Sequence, residues 1–289
     1  MPKLLVVDKS IFHSLCCCEE KLCTFVKDYS VVLPNALAIE CLISEKQTSD
    51  KDPVKLVRRF DAAIKAGAKY GYSSYKLFQV EKRTLCPVKS IIDENTTQQF
   101  RNGDPNTEIS FMKQEAECCR KSFEPIIESV LKIARILYKN LCKQDNLSKK
   151  LRKETDRTRR FQKWIQDTDQ NIKNIMSRLF SERIGFNADT SWFTWQMARL
   201  WFAYCIEWTF KKNLPGSSEK RDISNDLYDL EYVTYLSRAD GLLTNDKKLQ
   251  VPLANAAFPK KEVFAVNTSK EVQEVFDDII NIIPQSYRI

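Results

Sequence analysis

Histidine is almost absent from this sequence, which has His13 as its one histidine among 289 residues. Ser/His/Asp triads, Cys/His dyads and histidine-rich metal sites all need an imidazole beside a second reactive group. A lone histidine within a helical pattern is more typical of a packed or surface residue than of a ligand. The sequence therefore predicts that carboxylates and water carry whatever chemistry the protein performs.

Glycine and proline are also scarce, with six and ten residues respectively. This composition, with frequent Lys, Glu, Leu and Ile, favours a helix-rich fold over a sandwich or a barrel. The segment at residues 191–210 is nearly long enough to span a bilayer. It includes Arg199 and Glu207, however, and its apolar side chains are largely aromatic. These features predict a buried core helix and no membrane partner.

The spacing of the ten cysteines argues against a zinc site, because no CxxC pair occurs and several cysteines are direct neighbours, as at residues 16–18. We interpret them mainly as small buried apolar residues. The apolar run at residues 4–7 is too short for the hydrophobic region of a secretory signal peptide. A reducing, cytoplasmic location is therefore expected.

Two short apolar runs are each followed by an aspartate. Residues 3–7 lead into Asp8, and residues 241–244 lead through Asn245 into Asp246. Such runs are typical of buried parallel strands, and ligands of open α/β sheets bind beyond the carboxyl ends of the strands. Asp8 and Asp246 are thus expected to converge, whereas Asp240 lies at the opposite end of its strand and outside the site.

Strand and helix patterns alternate at both ends of the chain, while the middle is helical. Further strands are predicted at residues 30–33 and 263–266. Helices are predicted at residues 10–26, 35–43, 53–66, 107–141, near 246–257, and at 269–283. Residues 67–105 show no clear pattern, and their tyrosines favour an ordinary helix with a half-buried aromatic face over a surface for single-stranded nucleic acid.

The fold class predicted from these patterns is α/β, a parallel central sheet flanked by helices, with an α-helical insertion. Turn-forming residues cluster at 102–105 and 215–218. We place the α/β domain at residues 1–102 and 217–289 and the helical insertion at residues 103–216.

Three acids lie on predicted helices rather than at strand ends. Glu40 is the lone acid of the apolar stretch 36–43; since burial without a partner is costly, it either faces a cleft or stays in water at the helix edge, and we favour the cleft. Asp226 and Asp229 are three positions apart and share one helix face. All three could reach the edge that carries Asp8 and Asp246.

Three segments of the chain resemble the acidic signatures of PIN-domain nucleases. They are LLVVD near the start, PNALAIECL with its glutamate, and DLEYVTYLSRADGLLTNDKKL near the end. The last is the most specific, because an aspartate on a helix, a short strand and a threonine-x-aspartate before Lys-Lys-Leu closely match that family's carboxyl motif. The resemblance covers the two ends of the chain only, and residues from about 103 to 215 have no counterpart in a minimal PIN domain.

This resemblance implies a PIN-like fold and a metal-dependent endoribonuclease that hydrolyses phosphodiester bonds, with single-stranded RNA as the favoured substrate. Hard divalent cations take oxygen ligands, and the residues that would hold Mg²⁺ or Mn²⁺ are Asp8, Glu40, Asp229 and Asp246, with Asp226 able to assist or replace Asp229. Thr244 and Ser10 could orient a water or a phosphate oxygen.

A basic run at residues 149–163 lies within the predicted insertion. Its candidate nucleic-acid contacts are Lys150, Arg152, Lys153, Arg157, Arg159 and Arg160. Such a run is either a solvated helix face or a contact for the phosphate backbone of RNA, and the net charge of +8 suits an anionic partner. A non-catalytic PIN-like module that binds RNA or a protein, a DNA-directed nuclease, and a homo-oligomer formed through the insertion stay open as alternatives.

Overall fold

The structure, a computed structural model, describes residues 2–43, 53–103, 156–179, 188–211 and 220–289, with isolated positions between these ranges. It is an α/β fold built on a five-stranded, all-parallel sheet, as predicted. The strands are β1 (Leu5–Val7), β2 (Val31–Pro34), β3 (Lys69–Gly71), β4 (Gly241–Thr244) and β5 (Glu262–Ala265).

The strand order is β3-β2-β1-β4-β5, which makes β1 the central strand. The chain moves outward from β1 to β3 and then crosses to the other side of β1 for β4 and β5. The order therefore reverses between β1 and β4, and open α/β sheets bind their ligands at such a switch point. Val7 pairs with Leu243, so Asp8 and Thr244, the next residue on each strand, lie side by side.

Helices account for most of the remaining described residues. They are α1 (Lys9–Cys16), α2 (Glu19–Asp28), α3 (Asn35–Ile43), α4 (Pro53–Ala66), α5 (Ser74–Thr84), α6 (Glu94–Asn102), α7 (Arg157–Leu179), α8 (Phe193–Lys211), α9 (Lys220–Tyr235), α10 (Gln250–Ala257) and α11 (Val272–Ile282). None of the described helices is long and apolar enough to cross a membrane.

One hydrophobic core joins the sheet to helices from the whole of the described chain. Every residue of β1, β2 and β4 is buried, as expected of strands covered on both faces. Phe161 and Trp164 of α7 and Phe193 of α8 belong to the same cluster, although both helices lie within the predicted insertion. The division into two parts stays a prediction.

Helix α8 is the buried core helix that residues 191–210 predict. Its first two amide groups, those of Phe193 and Thr194, donate to the buried carboxylate of Glu81 on α5, at 2.8 and 2.9 Å. This carboxylate takes the role of a helix N-cap. Glu207 is buried near the other end of α8 and is bonded to Arg160 of α7 at 2.8 Å.

The structure corrects two of the predicted elements. Residues 10–26 form two helices rather than one, because the chain is extended at Cys18, and Glu19 and Glu20 then begin α2, where acids suit the helix dipole. Tyr70, expected on a helix, lies in the short strand β3 and is buried there. The predicted helix at 107–141 and the loop at 215–218 lie outside the described ranges.

Candidate active site

Asp8 caps helix α1 at the carboxyl end of the central strand. Its Oδ1 accepts hydrogen bonds from the Ile11 amide at 2.9 Å and the Ser10 hydroxyl at 2.8 Å, and its Oδ2 accepts one from Thr244 Oγ1 at 2.5 Å. The Asn245 amide lies 3.4 Å from the same Oδ2. Burial raises the pKa of Asp8 above its ordinary value, and these hydrogen bonds oppose that rise. The carboxylate is thus held in one fixed position.

Glu40 lies on α3, and its carboxylate is near enough to Asp8 for the two charges to interact. Its Oε2 accepts a hydrogen bond from the hydroxyl of Tyr232 at 2.7 Å, and Lys9 Nζ lies 3.5 Å from its Oε1. The side chain is 13% exposed. Burial raises the pKa of Glu40, the Lys9 ammonium lowers it, and the negative charge of Asp8 raises it further.

Asp229 lies on α9, where burial and neighbouring carboxylates both affect its pKa. Its Oδ1 accepts a hydrogen bond from Gln250 Nε2 at 2.7 Å. Burial and then the negative charge of Glu40 hold the pKa of Asp229 well above its ordinary value, and Asp246 and Asp226 raise it further. Like charges that share a site disfavour the ionised form in this way.

Asp226 lies one turn earlier on α9 and faces a different partner. Its Oδ2 accepts a hydrogen bond from the hydroxyl of Tyr204 on α8 at 2.6 Å. The pKa of Tyr204 is raised by burial first and by the charge of Asp226 second, and Asp229 adds to the rise. Asp226 therefore links α9 to α8. Of the two aspartates, Asp229 is the one whose pKa is raised by the charges of Glu40 and Asp246.

Asp246 organises the turn between β4 and α10. Its Oδ1 accepts from the Lys248 and Leu249 amides at 2.8 and 3.0 Å, and its Oδ2 accepts from the Gln250 amide at 3.1 Å. Its own amide donates to Thr244 Oγ1 at 2.9 Å. Since the same Thr244 hydroxyl donates to Asp8, the ends of β1 and β4 are joined through one side chain.

The acids around the switch point of the sheet affect one another in pairs. The charge of Asp8 raises the pKa of Glu40, and the charges of Glu40 and Asp246 raise the pKa of Asp229. The nearest counter-charge bonded to them within the described chain is Lys9. Across the described ranges, however, no three His, Cys, Asp or Glu side chains stand close enough together to form a ready-made metal site. The acids thus lie near enough to shift one another's pKa, but they do not form one coordination sphere.

The donor chemistry of this edge nevertheless fits a hard divalent cation. Such cations take carboxylate and amide oxygens, and a cation would relieve the repulsion that raises the pKa of Asp229. Gln250 adds a neutral oxygen, because its Oε1 is buried and has no hydrogen-bond partner among the described residues. The acids that could hold the cation are Asp8, Glu40, Asp229 and Asp246, and Gln250 is an oxygen donor that the sequence did not predict.

Asp240 lies away from this edge, as expected. Its Oδ2 accepts from the Leu4 amide at 2.9 Å, before β1 begins, and Lys261 lies 3.6 Å from its Oδ1. Ser10 and Thr244, by contrast, both contact Asp8 directly. Their hydroxyls hold this carboxylate in the structure.

The described part of the basic run divides into buried and exposed residues. Arg160 is buried, and its guanidinium donates to both carboxylate oxygens of Glu207, while Arg157 Nε lies 3.4 Å from the same carboxylate. Arg159 is 71% exposed and lies near Glu154 and Asp156. Lys150, Arg152 and Lys153 lie outside the described ranges. Arg159 is therefore the described member of the run that faces solvent.

Sequence reasoning missed Lys9, Tyr232 and Gln250, all of which contact the acids. Lys9 directly follows Asp8, and Tyr232 follows Asp229 by three positions on α9, so spacing could have indicated both. Gln250 gave no such signal, because a polar residue four positions after Asp246 is typical of the start of a helix.

No family model, no curated protein and no solved structure matches this chain.

Proposed function

We propose that this protein is a metal-dependent nuclease that hydrolyses phosphodiester bonds, with single-stranded RNA as its favoured substrate. The observation that carries the proposal is a set of hydrogen bonds around the switch point of a parallel sheet: Thr244 bonds to both Asp8 and Asp246, and Gln250 bonds to both Asp246 and Asp229. Glu40 is near enough for its charge to raise the pKa of Asp229. Asp8 and Asp246 come from the ends of β1 and β4, and Glu40 and Asp229 come from helices α3 and α9. The resemblance of the same residues to the acidic signatures of PIN-domain nucleases supports this reading.

Mg²⁺ or Mn²⁺ would be held by Asp8, Glu40, Asp229 and Asp246. When bound, such a cation lowers the pKa of a water molecule and offsets the charge that develops on a scissile phosphate. The protein supplies a carboxylate, that of Asp8, which four donors hold in place, so little reorganisation is needed there when substrate binds. Tyr232 orients Glu40 in the same way.

Lys9 offers a positive charge at the same edge. Its ammonium lies 3.5 Å from Glu40 and the side chain is 37% exposed, so it can approach a phosphate oxygen without first leaving a buried position. A lysine contacts phosphate as a point charge. We assign Lys9 the role of contacting the RNA backbone beside the acids, which would otherwise repel it.

The charge of the whole chain favours an anionic partner as well. A net charge of +8 raises the local concentration of nucleic acid around the protein. Exposed arginines such as Arg159 would add contacts to the phosphate backbone that depend on salt and carry no base specificity.

A non-catalytic module that binds RNA or a protein is the second candidate. Two observations favour it: no three metal-ligating side chains form a ready group within the described ranges, and the oxygens of Asp8 and Asp246 already accept several hydrogen bonds each. Such a module would bind RNA through the same surface and leave it intact.

A cleavage assay separates the two candidates. Labelled single-stranded RNA and single-stranded DNA are incubated with the protein in Mn²⁺ or in EDTA, beside the variant Asp8→Asn. We expect cleavage of RNA that requires Mn²⁺ and falls by about 100-fold or more in the variant, since the loss of one fixed electrostatic group at a reaction centre has this order of effect. Preferred cleavage of DNA would redirect the substrate, and binding without cleavage would support the module.

Asp93→Asn is the matched control for that variant. Asp93 is likewise a buried aspartate that caps a helix, α6, through a hydrogen bond from the Thr96 amide at 3.0 Å. Among the described residues it makes no bond to Asp8, Glu40, Asp229 or Asp246, and it forms an ion pair with Lys76 at 3.0 Å. A loss of cleavage shared by both variants would indicate a folding defect instead of a role for Asp8.

A further inference from the structure

The side chain of Gln250 is buried beside the acids, and half of its hydrogen-bonding capacity is unused. The residue is 1% exposed. Its Nε2 donates to Asp229 Oδ1 at 2.7 Å, whereas its Oε1 has no hydrogen-bond partner among the described residues. A buried polar atom without a partner destabilises a fold, so an oxygen without a partner beside a carboxylate cluster calls for a functional reason.

We propose that Gln250 is a further residue of the cation site, where Nε2 holds Asp229 and Oε1 joins the oxygen ligands of the cation, directly or through a water. This inference rests on the proposed function, because it needs a cation at the acids. An amide oxygen is a ligand that both Mg²⁺ and Mn²⁺ accept. It adds coordination without adding another negative charge to a cluster in which the acids already repel one another.

The position of Gln250 in the chain suits this role. It is the first residue of α10, and its amide donates to Asp246 Oδ2 at 3.1 Å. Through its backbone it therefore contacts Asp246, and through its side chain it contacts Asp229. A single residue thus bridges the acid that follows β4 and the acid carried by α9, two elements whose relative position decides whether those acids can share one ion.

A purely structural role predicts a different pattern. If Gln250 only linked α10 to α9, its Nε2 donor would be enough for that role. The buried Oε1 without a partner would then lower the stability of the fold and have no function. The role as a ligand explains both halves of the amide: the donor orients Asp229, and the acceptor faces the ion.

Isothermal titration calorimetry of the whole protein with Mn²⁺, in the absence of RNA, tests the proposal. We expect Gln250→Met, which has a similar length and lacks both polar atoms, to raise the dissociation constant for Mn²⁺ by about 10-fold or more, the order found for residues that support metal ligands. The control is Gln196→Met. Gln196 is also a buried glutamine, bonded to Thr190 and Arg199, and its loss should leave the constant unchanged.

Gln250→Glu keeps an oxygen that can bind the cation but has no group that can donate to Asp229. This variant therefore shows whether residue 250 acts as a ligand of the cation or only as a hydrogen-bond donor. We expect this variant to bind Mn²⁺ at least as tightly as the wild type. If it binds as weakly as Gln250→Met, Oε1 is not a ligand and the inference is overturned. It is also overturned if both variants bind within twofold of the wild type. Absence of Mn²⁺ binding by the wild type would overturn the proposed function together with this inference.

Discussion

The hydroxyl of Tyr232 donates a hydrogen bond to Glu40 Oε2 at 2.7 Å, between two residues 192 positions apart in the chain. Tyr232 is fully buried on α9 and Glu40 lies on α3. This bond therefore links the two helices that carry Glu40 and Asp229. We infer that it acts as a positioning contact for Glu40.

Replacing Tyr232 with Phe removes that contact and leaves the ring in place. We expect Mn²⁺-dependent RNA cleavage to fall by about 10-fold, as when a group that supports a metal ligand is lost, and the free energy of unfolding to fall by about 1–3 kcal/mol. Kinetics and denaturant unfolding measure the two effects.

Tyr235→Phe is the control for that experiment. Tyr235 is also fully buried on α9, but its hydroxyl donates to the carbonyl of Tyr72, away from the acids. The account predicts a similar loss of stability with unchanged cleavage. Equal losses of cleavage in both variants would show that Tyr232 acts through the packing of α9 instead of through Glu40.

The pH dependence of stability should reveal both the burial of Asp229 and the repulsion around it. Because the pKa of Asp229 lies well above its ordinary value of 3.8 in the folded protein, the folded state holds more protons than the unfolded chain between that value and the raised pKa. The free energy of unfolding therefore falls as the pH rises through this window. In EDTA, this loss should be complete above the raised pKa.

Asp229→Asn removes the charge and retains an oxygen that can accept from Gln250. In EDTA at pH 7.5 we expect the variant to melt about 2–4 °C above the wild type, the shift that about 1 kcal/mol produces in a chain of this size, and its stability to depend less on pH between 4 and 7. Thermal melts across this range measure it. A variant that melts below the wild type at pH 7.5 would contradict repulsion at this residue.

Arg160 and Arg159 should separate a core ion pair from an RNA contact. Arg160→Ala removes three hydrogen bonds from the buried carboxylate of Glu207, which keeps Arg157 and the Trp164 indole beside it, and we expect the free energy of unfolding to fall by about 3 kcal/mol. Arg159→Ala should leave stability within about 0.5 kcal/mol and reduce the slope of RNA affinity against salt by about 1. Denaturant unfolding and binding at several salt concentrations check both. An unchanged slope for Arg159→Ala would make this residue a solvated position.

The elements that sequence patterns predict best are those whose own residues carry the signal. The apolar run at residues 241–244 matches strand β4, which ends at Thr244 in the structure. The run before Asp8 likewise contains β1. β3 has only three residues, and its place depends on pairing with β2 through Val32 and Leu33, a contact between distant parts of the chain. Gly71 belongs to that packing, since a Cβ there would meet Tyr235 at 2.7 Å.

The acids of the site were predictable for the same reason, and their partners were not. Asp8 and Asp246 follow apolar runs, and a carboxylate at a strand end has a meaning in an α/β sheet. The pairing of Glu40 with Tyr232, or of Asp229 with Gln250, depends on how α9 packs against α3 and α10. Spacing places Tyr232 on the same helix face as Asp229, but the sequence contains no local signal for which residues of α3 and α10 pack there, so the pairings emerged only with the fold.

The most direct test of the account compares the two ends of one strand. Asp246 and Asp240 are aspartates that flank β4, with Asp246 at the acid cluster and Asp240 bonded to the Leu4 amide at the opposite end. The rate of single-stranded RNA cleavage in Mn²⁺ is measured for Asp246→Asn and Asp240→Asn, each confirmed as folded. We predict a loss of about 100-fold or more for Asp246→Asn and a rate within about twofold of the wild type for Asp240→Asn. Equal rates for the two variants, or cleavage that persists in EDTA, would contradict the account.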